Sequence, residues 1–258
     1  MGENKLDLIF KAYDIRGIFQ ETITLDTAYK IGYAYADFVE SKEIIVGHDG
    51  RLSNIEMLNA VGSGIKKNNK TVIYIGTVPT DVVYSLSGLK KLPGLIITAS
   101  HNPKEWTGLK FCNSGATPIG VETGLLEIKE KVENLNIDID IHNDFEQENM
   151  IDLYIEHLNS IVPPKNLDST ISFVIDAANG ALGSVIGDLK KSYDLKFKSL
   201  YMEIDGNFPN HPPDPTKKEN LLELRNNIEC AIDALENVKK ELGRMIDEKK
   251  GVNYDGNS

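Results

Sequence analysis

The sequence predicts an α/β fold in two domains built on mixed, mostly parallel sheets, the second domain ending in a long helix. Three observations predict it. Short apolar runs alternate with helical patterns through the first half of the chain. A strand–turn–helix plan returns after residue 170, and a breaker-poor amphipathic stretch follows from Lys217. Strands that alternate with helices imply parallel neighbours, because a parallel pair needs a crossover connection that is usually helical.

The elements follow in order. Leu25–Phe38 reads as a helix with Ala28, Ile31 and Tyr35 on one face. Glu43–Val46 is a short buried strand, and the GHDGR run after it is a turn. Ser53-Asn54-Ile55-Glu56 has the form of a capping box and opens a helix to about Asn68. Thr71–Ile75 is the next strand, punctuated by Gly76 and Pro79. Asp81–Leu86 reads as a short helix, Gly94–Thr98 as a third strand, Thr107–Phe111 as a fourth and Val121–Val132 as an amphipathic helix. Residues 135–148 are acidic with alternating Ile, either a linker or an edge strand, and the domains divide there into 1–148 and 149–258. A helix near Asn149–Ser160, a Pro-Pro turn and a strand over Ile171–Ile175 open the second domain. From Lys217 to about Lys250, Ile228, Ile232, Leu235, Leu242 and Ile246 recur at helical spacing. They mark one amphipathic helix, or two joined near Gly243.

Composition narrows the function classes. The chain has 258 residues, 41% hydrophobic and 26% charged, which suits a globular protein of one large or two ordinary domains. A net charge of −11 without clustered Lys or Arg argues against a nucleic-acid partner. A small anionic ligand needs only a few local donors and stays allowed. Cys112 and Cys230 lack CxxC spacing and read as reduced thiols. No apolar run reaches the ~18 residues of a transmembrane helix, and the chain opens on no basic-then-apolar signal. Met1-Gly2 begins a myristoylation pattern that Leu6 breaks. The expectation is a cytoplasmic protein without membrane association.

The richest segment for chemistry is Thr98–Lys110, TASHNPKEWTGLK. Ligands of α/β sheets bind beyond the carboxyl ends of the strands, and Ser100 falls two residues past an apolar run. His101-Asn102-Pro103 forces a turn that can present N–H groups to an anion. Lys110, ten residues on, can return to the same edge. Local residues alone favour an ordinary strand-to-turn serine.

TASHNP followed by a GLKF strand resembles the active-site signature of the α-D-phosphohexomutase family, the phosphomannomutases and phosphoglucomutases. Other landmarks stand in that family's order: KAYDIRG at Lys11–Gly17, VGHDGRLS at Val46–Ser53, DAANGA at Asp176–Ala181 and DGNFPNHPPDPTKKENL at Asp205–Leu221. The resemblance covers roughly the first half of a full-length member. It implies three-layer α/β/α domains and isomerase chemistry: reversible transfer between the 1- and 6-phosphates of mannose or glucose, through a bisphosphorylated sugar. Ser100 is then the phosphoserine and a Mg²⁺ ligand, with His101 beside it. Lys110 is a general base or electrostatic helper, Arg16 contacts the moving phosphoryl group, and Tyr13 lines the entrance. Phosphoryl transfer suits such a set, because it asks for positioning and positive charge more than covalent machinery. Mg²⁺ is the implied cofactor, a hexose 1,6-bisphosphate the primer and hexose phosphates the ligands.

Plainer readings stand beside these. Asp14 is a ready ion-pair partner for Arg16, and His101 equally suits a turn-stabilising role. His48 and Arg51 read as structural residues of the HDGR turn, and His211 has no evident task. The sequence also departs from the family. No DGDxD metal run exists, and the nearest string, YDGNS, offers Asp255 and, weakly, Asn257. Aligning ELGRMIDEKK there instead supplies only Asp247 and Glu248. The metal site is expected to be incomplete, the second domain incomplete and the chain truncated. A second chain supplying further domains is one reading; an inactive fragment, or an interaction module using the C-terminal helix, is the alternative.

Overall fold

The computed structural model describes residues 5–166 and 172–251, with the side chains of the last helix described in part. A short helix, Lys5–Ile9 (α1), precedes the first sheet. That sheet holds Ile15–Ile18 (β1), Glu43–His48 (β2), Thr71–Thr77 (β3), Gly94–Ile97 (β4) and Trp106–Asn113 (β5), in the order β1-β5-β4-β2-β3. A two-residue strand, Thr117–Pro118 (β6), pairs with β5. β2 runs parallel to β3 and β4, whereas β5 runs antiparallel to β4 and β1.

Alternation along the strands builds two cores. Ile44, Val46, Leu95, Ile97, Leu109 and Phe111 face one way, under Leu25–Phe38 (α2), Asn54–Lys67 (α3) and Leu125–Asn134 (α5). Ile45, Ile73, Ile75 and Ile96 face the other, under Thr80–Lys90 (α4) and Ile151–Ile161 (α6). Strands covered on both faces read as near-continuous apolar runs, which is why EIIV and GLII were legible. The second sheet pairs Ser172–Asp176 (β7) with Lys196–Leu200 (β8) in parallel, joined through Ile186–Tyr193 (α7). Leu222–Gly251 (α8) is one 30-residue helix, unbroken at Gly243.

Several local expectations change. The capping box does not form: Ser53 is itself helical in backbone (φ −74°, ψ −10°) and makes no side-chain cap. The Asn54 side-chain Nδ2 donates to the Asp49 carbonyl at 2.8 Å and its carboxylate at 2.6 Å, while the Asn54 backbone N–H donates to the Arg51 carbonyl at 3.2 Å. These bonds tether the Asn54 side chain to the turn after β2. Residues 135–148 are a linker: one bridge joins Tyr74 to Gln147, and Ile137, Ile139 and Phe145 pack along the first core. α4 is longer than its apolar pattern, and the helix expected from Val121 starts as a 3₁₀ turn before α5.

Candidate active site

Ser100 lies just past the carboxyl end of β4. The Thr98 amide donates to the Gly108 carbonyl at 2.9 Å, and the Thr98 hydroxyl to Asp49 Oδ2 at 2.7 Å. The Ser100 amide then donates back to Thr98 Oγ1 at 2.9 Å, closing a tight turn. Ser100 has φ +55°, the left-handed region, which costs a non-glycine residue about 1–2 kcal/mol. Surroundings must hold it there.

Arg51 does most of the holding. Its side chain is fully buried, and Nη2 donates to the carbonyls of Ser100 (2.9 Å) and Asn102 (2.8 Å). Nη1 donates to the carbonyls of Pro103 (2.6 Å) and Trp106 (3.0 Å), and Nε to Asp49 Oδ2 at 3.2 Å. Burial pulls the guanidinium below its ordinary pKa, and the Asp49 charge opposes that. Arg51 therefore organises the serine loop as well as its own turn. Its sequence neighbours give no sign of this, because the carbonyls it binds lie some 50 residues away.

Arg16 and Lys110 meet at Asp14. Arg16 is opposite Gly108 across β1 and β5, so Arg16 and Lys110 project on the same face of adjoining strands. Asp14 is 5% exposed. Its Oδ2 accepts from Arg16 Nε at 2.9 Å and from Lys110 Nζ at 2.8 Å. The ion pair of the plainer reading is present, yet Arg16 Nη1 also donates to Asn102 Oδ1 at 3.0 Å. The pair thus holds Arg16 against the serine loop. Tyr13, next in the chain, is 80% exposed.

His101 is exposed, with Nδ1 3.4 Å from Ser100 Oγ. His48 is buried between the Asp49 carbonyl (2.6 Å) and the Tyr74 hydroxyl (2.8 Å), and desolvation lowers its pKa. His211, which the sequence left without a task, has Nε2 3.0 Å from Asp176 Oδ2 at the end of β7. A cleft of about 420 Å³ brings Ser100, His101 and Asp49 together with Asp176, His211 and Asp214. Arg16, Lys110 and Tyr13 are outside its lining.

The described residues do not fit a Mg²⁺ site. Among them, no three His, Cys, Asp or Glu side chains converge to hold a metal ion. The carboxylates that line the cleft with Ser100 are already engaged, Asp49 by Arg51, Thr98 and Asn54, Asp176 by His211, and Asp214 by Thr216. Asp255 and Asn257 lie outside the described residues, as do the side chains of Asp247 and Glu248.

Comparison with known proteins bears on the fold and the family. Residues 7–137 match the model of phosphoglucomutase/phosphomannomutase α/β/α domain I, and residues 152–247 that of domain II. A phosphomannomutase of Vibrio cholerae is 33% identical over 259 residues, covering 96% of this chain and 52% of that protein. A phosphoglucomutase of Neisseria gonorrhoeae is 37% identical over 245 residues, covering 93% and 50%. The chain spans about half the length of the curated relatives it matches. A phosphoglucomutase/phosphomannomutase family protein of Burkholderia thailandensis superposes with a TM-score of 0.71 at 31% identity, over 83% of this chain and 48% of that one. The ordered motifs, the mixed sheet with Ser100 at its edge and both domain matches lead to one assignment: the chain belongs to the phosphoglucomutase/phosphomannomutase family.

Proposed function

We propose that this chain carries the phosphoserine half of a phosphohexomutase, with Ser100 as the residue that receives and returns a phosphoryl group. The observation that carries the reading is the strained turn at Ser100, fixed by Arg51 beside a second guanidinium, Arg16, that reaches the same loop. The proposed reaction interconverts mannose or glucose 1- and 6-phosphates through a hexose 1,6-bisphosphate. In the half-reaction with a bisphosphate, the sugar O–P bond breaks and an Oγ–P bond forms on Ser100. The serine proton passes to the sugar oxygen that leaves. Arg16 offers fixed positive charge to the equatorial phosphoryl oxygens. Lys110 donates to Asp14 as an ammonium, which favours an electrostatic role over that of a base. His101 and exposed Tyr13 are proposed to border the sugar. No step is assigned to Mg²⁺, for which the described residues offer no site.

We also propose that the domains divide at 148/149, which the two family-model matches support, and that the protein acts in the cytoplasm. Hexose phosphates are the proposed ligands, and a second chain carrying further domains is a proposed partner. The test of the central reading is intact-mass analysis after incubation with glucose 1,6-bisphosphate. A single phosphoryl adduct that disappears in Ser100→Ala is expected. An unmodified wild-type chain would remove the proposal.

A further inference from the structure

The turn at residues 204–208 belongs to the second half of the chain, yet it presses on residues 50–52, the turn that carries Arg51. A Cβ built on Gly206 would stand 2.6 Å from the Gly50 carbonyl oxygen and 2.6 Å from the Leu52 amide nitrogen. Two backbones therefore touch at this point, and only glycine fits between them. From the other side, a Cβ on Gly50 would meet Ile204 Cγ2 at 2.4 Å. The Phe208 ring lies over the Arg51 guanidinium, 5.4 Å from ring centroid to Cζ. The turn is itself well braced. Asp205 accepts from the Asn207 amide at 2.8 Å and the Phe208 amide donates to the Asp205 carbonyl at 3.0 Å. Asn179, 4% exposed, ties it to the end of β7: its carbonyl accepts from the Asp205 amide at 3.0 Å, and its side chain donates to the Glu203 carbonyl at 2.8 Å.

We propose that the 204–208 turn is a latch on the serine loop, with Gly206 and Phe208 acting as positioning residues through Arg51. The carbonyls of Ser100, Asn102, Pro103 and Trp106 depend on one guanidinium, and Gly206 and Phe208 fix where that guanidinium and its backbone sit. Seating of the second half of the chain thereby sets whether Ser100 is held in its left-handed conformation. Phosphoryl uptake at Ser100 is then conditional on contacts made to Arg51 and residues 50–52 rather than to Ser100 itself, although Phe208 also lines the cleft. A cation over a ring and one glycine contact suit such a device, since each contributes modestly and either can release.

Gly206→Ala separates this role from a merely structural one. Gly206 is not among the positive-φ residues, so alanine suits the turn itself, and the three atoms nearest the added Cβ all belong to residues 50–52. Phe208→Ala is the second variant; it removes the ring from Arg51 and also from the cleft wall, so for this variant loop exchange, rather than uptake, reads the latch. Two readouts are taken on the full chain: amide hydrogen exchange of residues 99–107, and the rate of phosphoryl uptake from glucose 1,6-bisphosphate. Both variants are expected to keep the exchange of α2 and α3 unchanged, to raise exchange in 99–107 at least tenfold and to slow uptake at least tenfold. The uptake arm rests on the proposed phosphoserine; the exchange arm does not. If wild type takes up no phosphoryl group, that reading fails and exchange alone judges the latch. Exchange in 99–107 that matches wild type in both variants would overturn the latch while leaving the phosphoserine reading in place.

Discussion

Two cations converge on Asp14, one of the most sheltered carboxylates in the first half of the chain. Each of its bonds joins a charged donor to a charged acceptor, and such bonds contribute about 1.5–3 kcal/mol net when partly buried. Asp14→Asn keeps the shape and removes the charge that holds Arg16 and Lys110. We expect a loss of about 1–3 kcal/mol in urea denaturation and slower phosphoryl uptake at Ser100. Unchanged stability would show that the two cations find other partners. His48 makes a prediction in pH. Burial lowers its pKa in the folded chain below the ordinary 6.5, so the unfolded chain binds the proton more readily. Its contribution is therefore full above pH 6.5 and is lost as pH falls toward the folded value. We expect the stability gap between wild type and His48→Gln to narrow on acidification below pH 6.5, read from urea midpoints at successive pH values. A gap that widens would reverse the sign. That Arg16 reaches the Ser100 loop and meets Lys110 at Asp14 was suggested by short contiguous motifs that carry these residues. Arg51 was read only as a turn residue and Phe208 only as part of a loop. Their work is done on carbonyls and rings brought near by the fold, and sequence spacing does not record that.

Secondary structure followed the same rule. β2, β3, β4 and α2 were legible because burial on both sheet faces, or on one helix face, leaves an apolar pattern. β1 and β8 were not. IRGI and KFKSL carry charged residues along the strand, and β8 is mostly exposed, so neither presents a two-residue apolar period. The capping box failed for a different reason: Ser53 had the right spacing, but its backbone is already helical, so its side chain makes no cap and its Oγ is buried without a hydrogen-bond partner. The contact of α2 with α3 gives a test in which local propensity and packing disagree. A Cβ on Gly32 would lie 2.2 Å from the Val61 carbonyl oxygen, and one on Gly64 would lie 2.0 Å from the Tyr29 carbonyl oxygen. Helix propensity alone makes Gly32→Ala stabilising by about 0.5–1 kcal/mol. The backbone contact makes it destabilising, because the helices must separate, at about 1–3 kcal/mol for overpacking. We expect the second outcome in urea denaturation. Stabilisation would mean that the crossing relaxes without cost.

The two sheets are unequally protected, and that inequality makes the latch consequential. The first sheet is closed on both faces by helices, and Ile44, Ile45, Val46, Leu95, Ile96 and Ile97 are all fully buried. Around the second sheet, Phe173 on β7 is 44% exposed, α7 contributes no buried side chain, and Leu222, Ile228 and Leu242 of α8 stand exposed. Less apolar area leaves water in the second sheet, so its opening costs less free energy than opening the first. Native-state hydrogen exchange reads this directly. Amides of β2 and β4 are expected to exchange only through global unfolding, and those of β7 and β8 through a lesser opening with protection at least about tenfold weaker. Because residues 204–208 hang from the end of β7 through Asn179, that lesser opening should carry the turn off Arg51. Exchange in the 99–107 loop is then expected to rise in step with β7 and β8 as urea is added below the global transition. A 99–107 loop that instead tracked β2 and β4 would show that the first half holds Ser100 unaided.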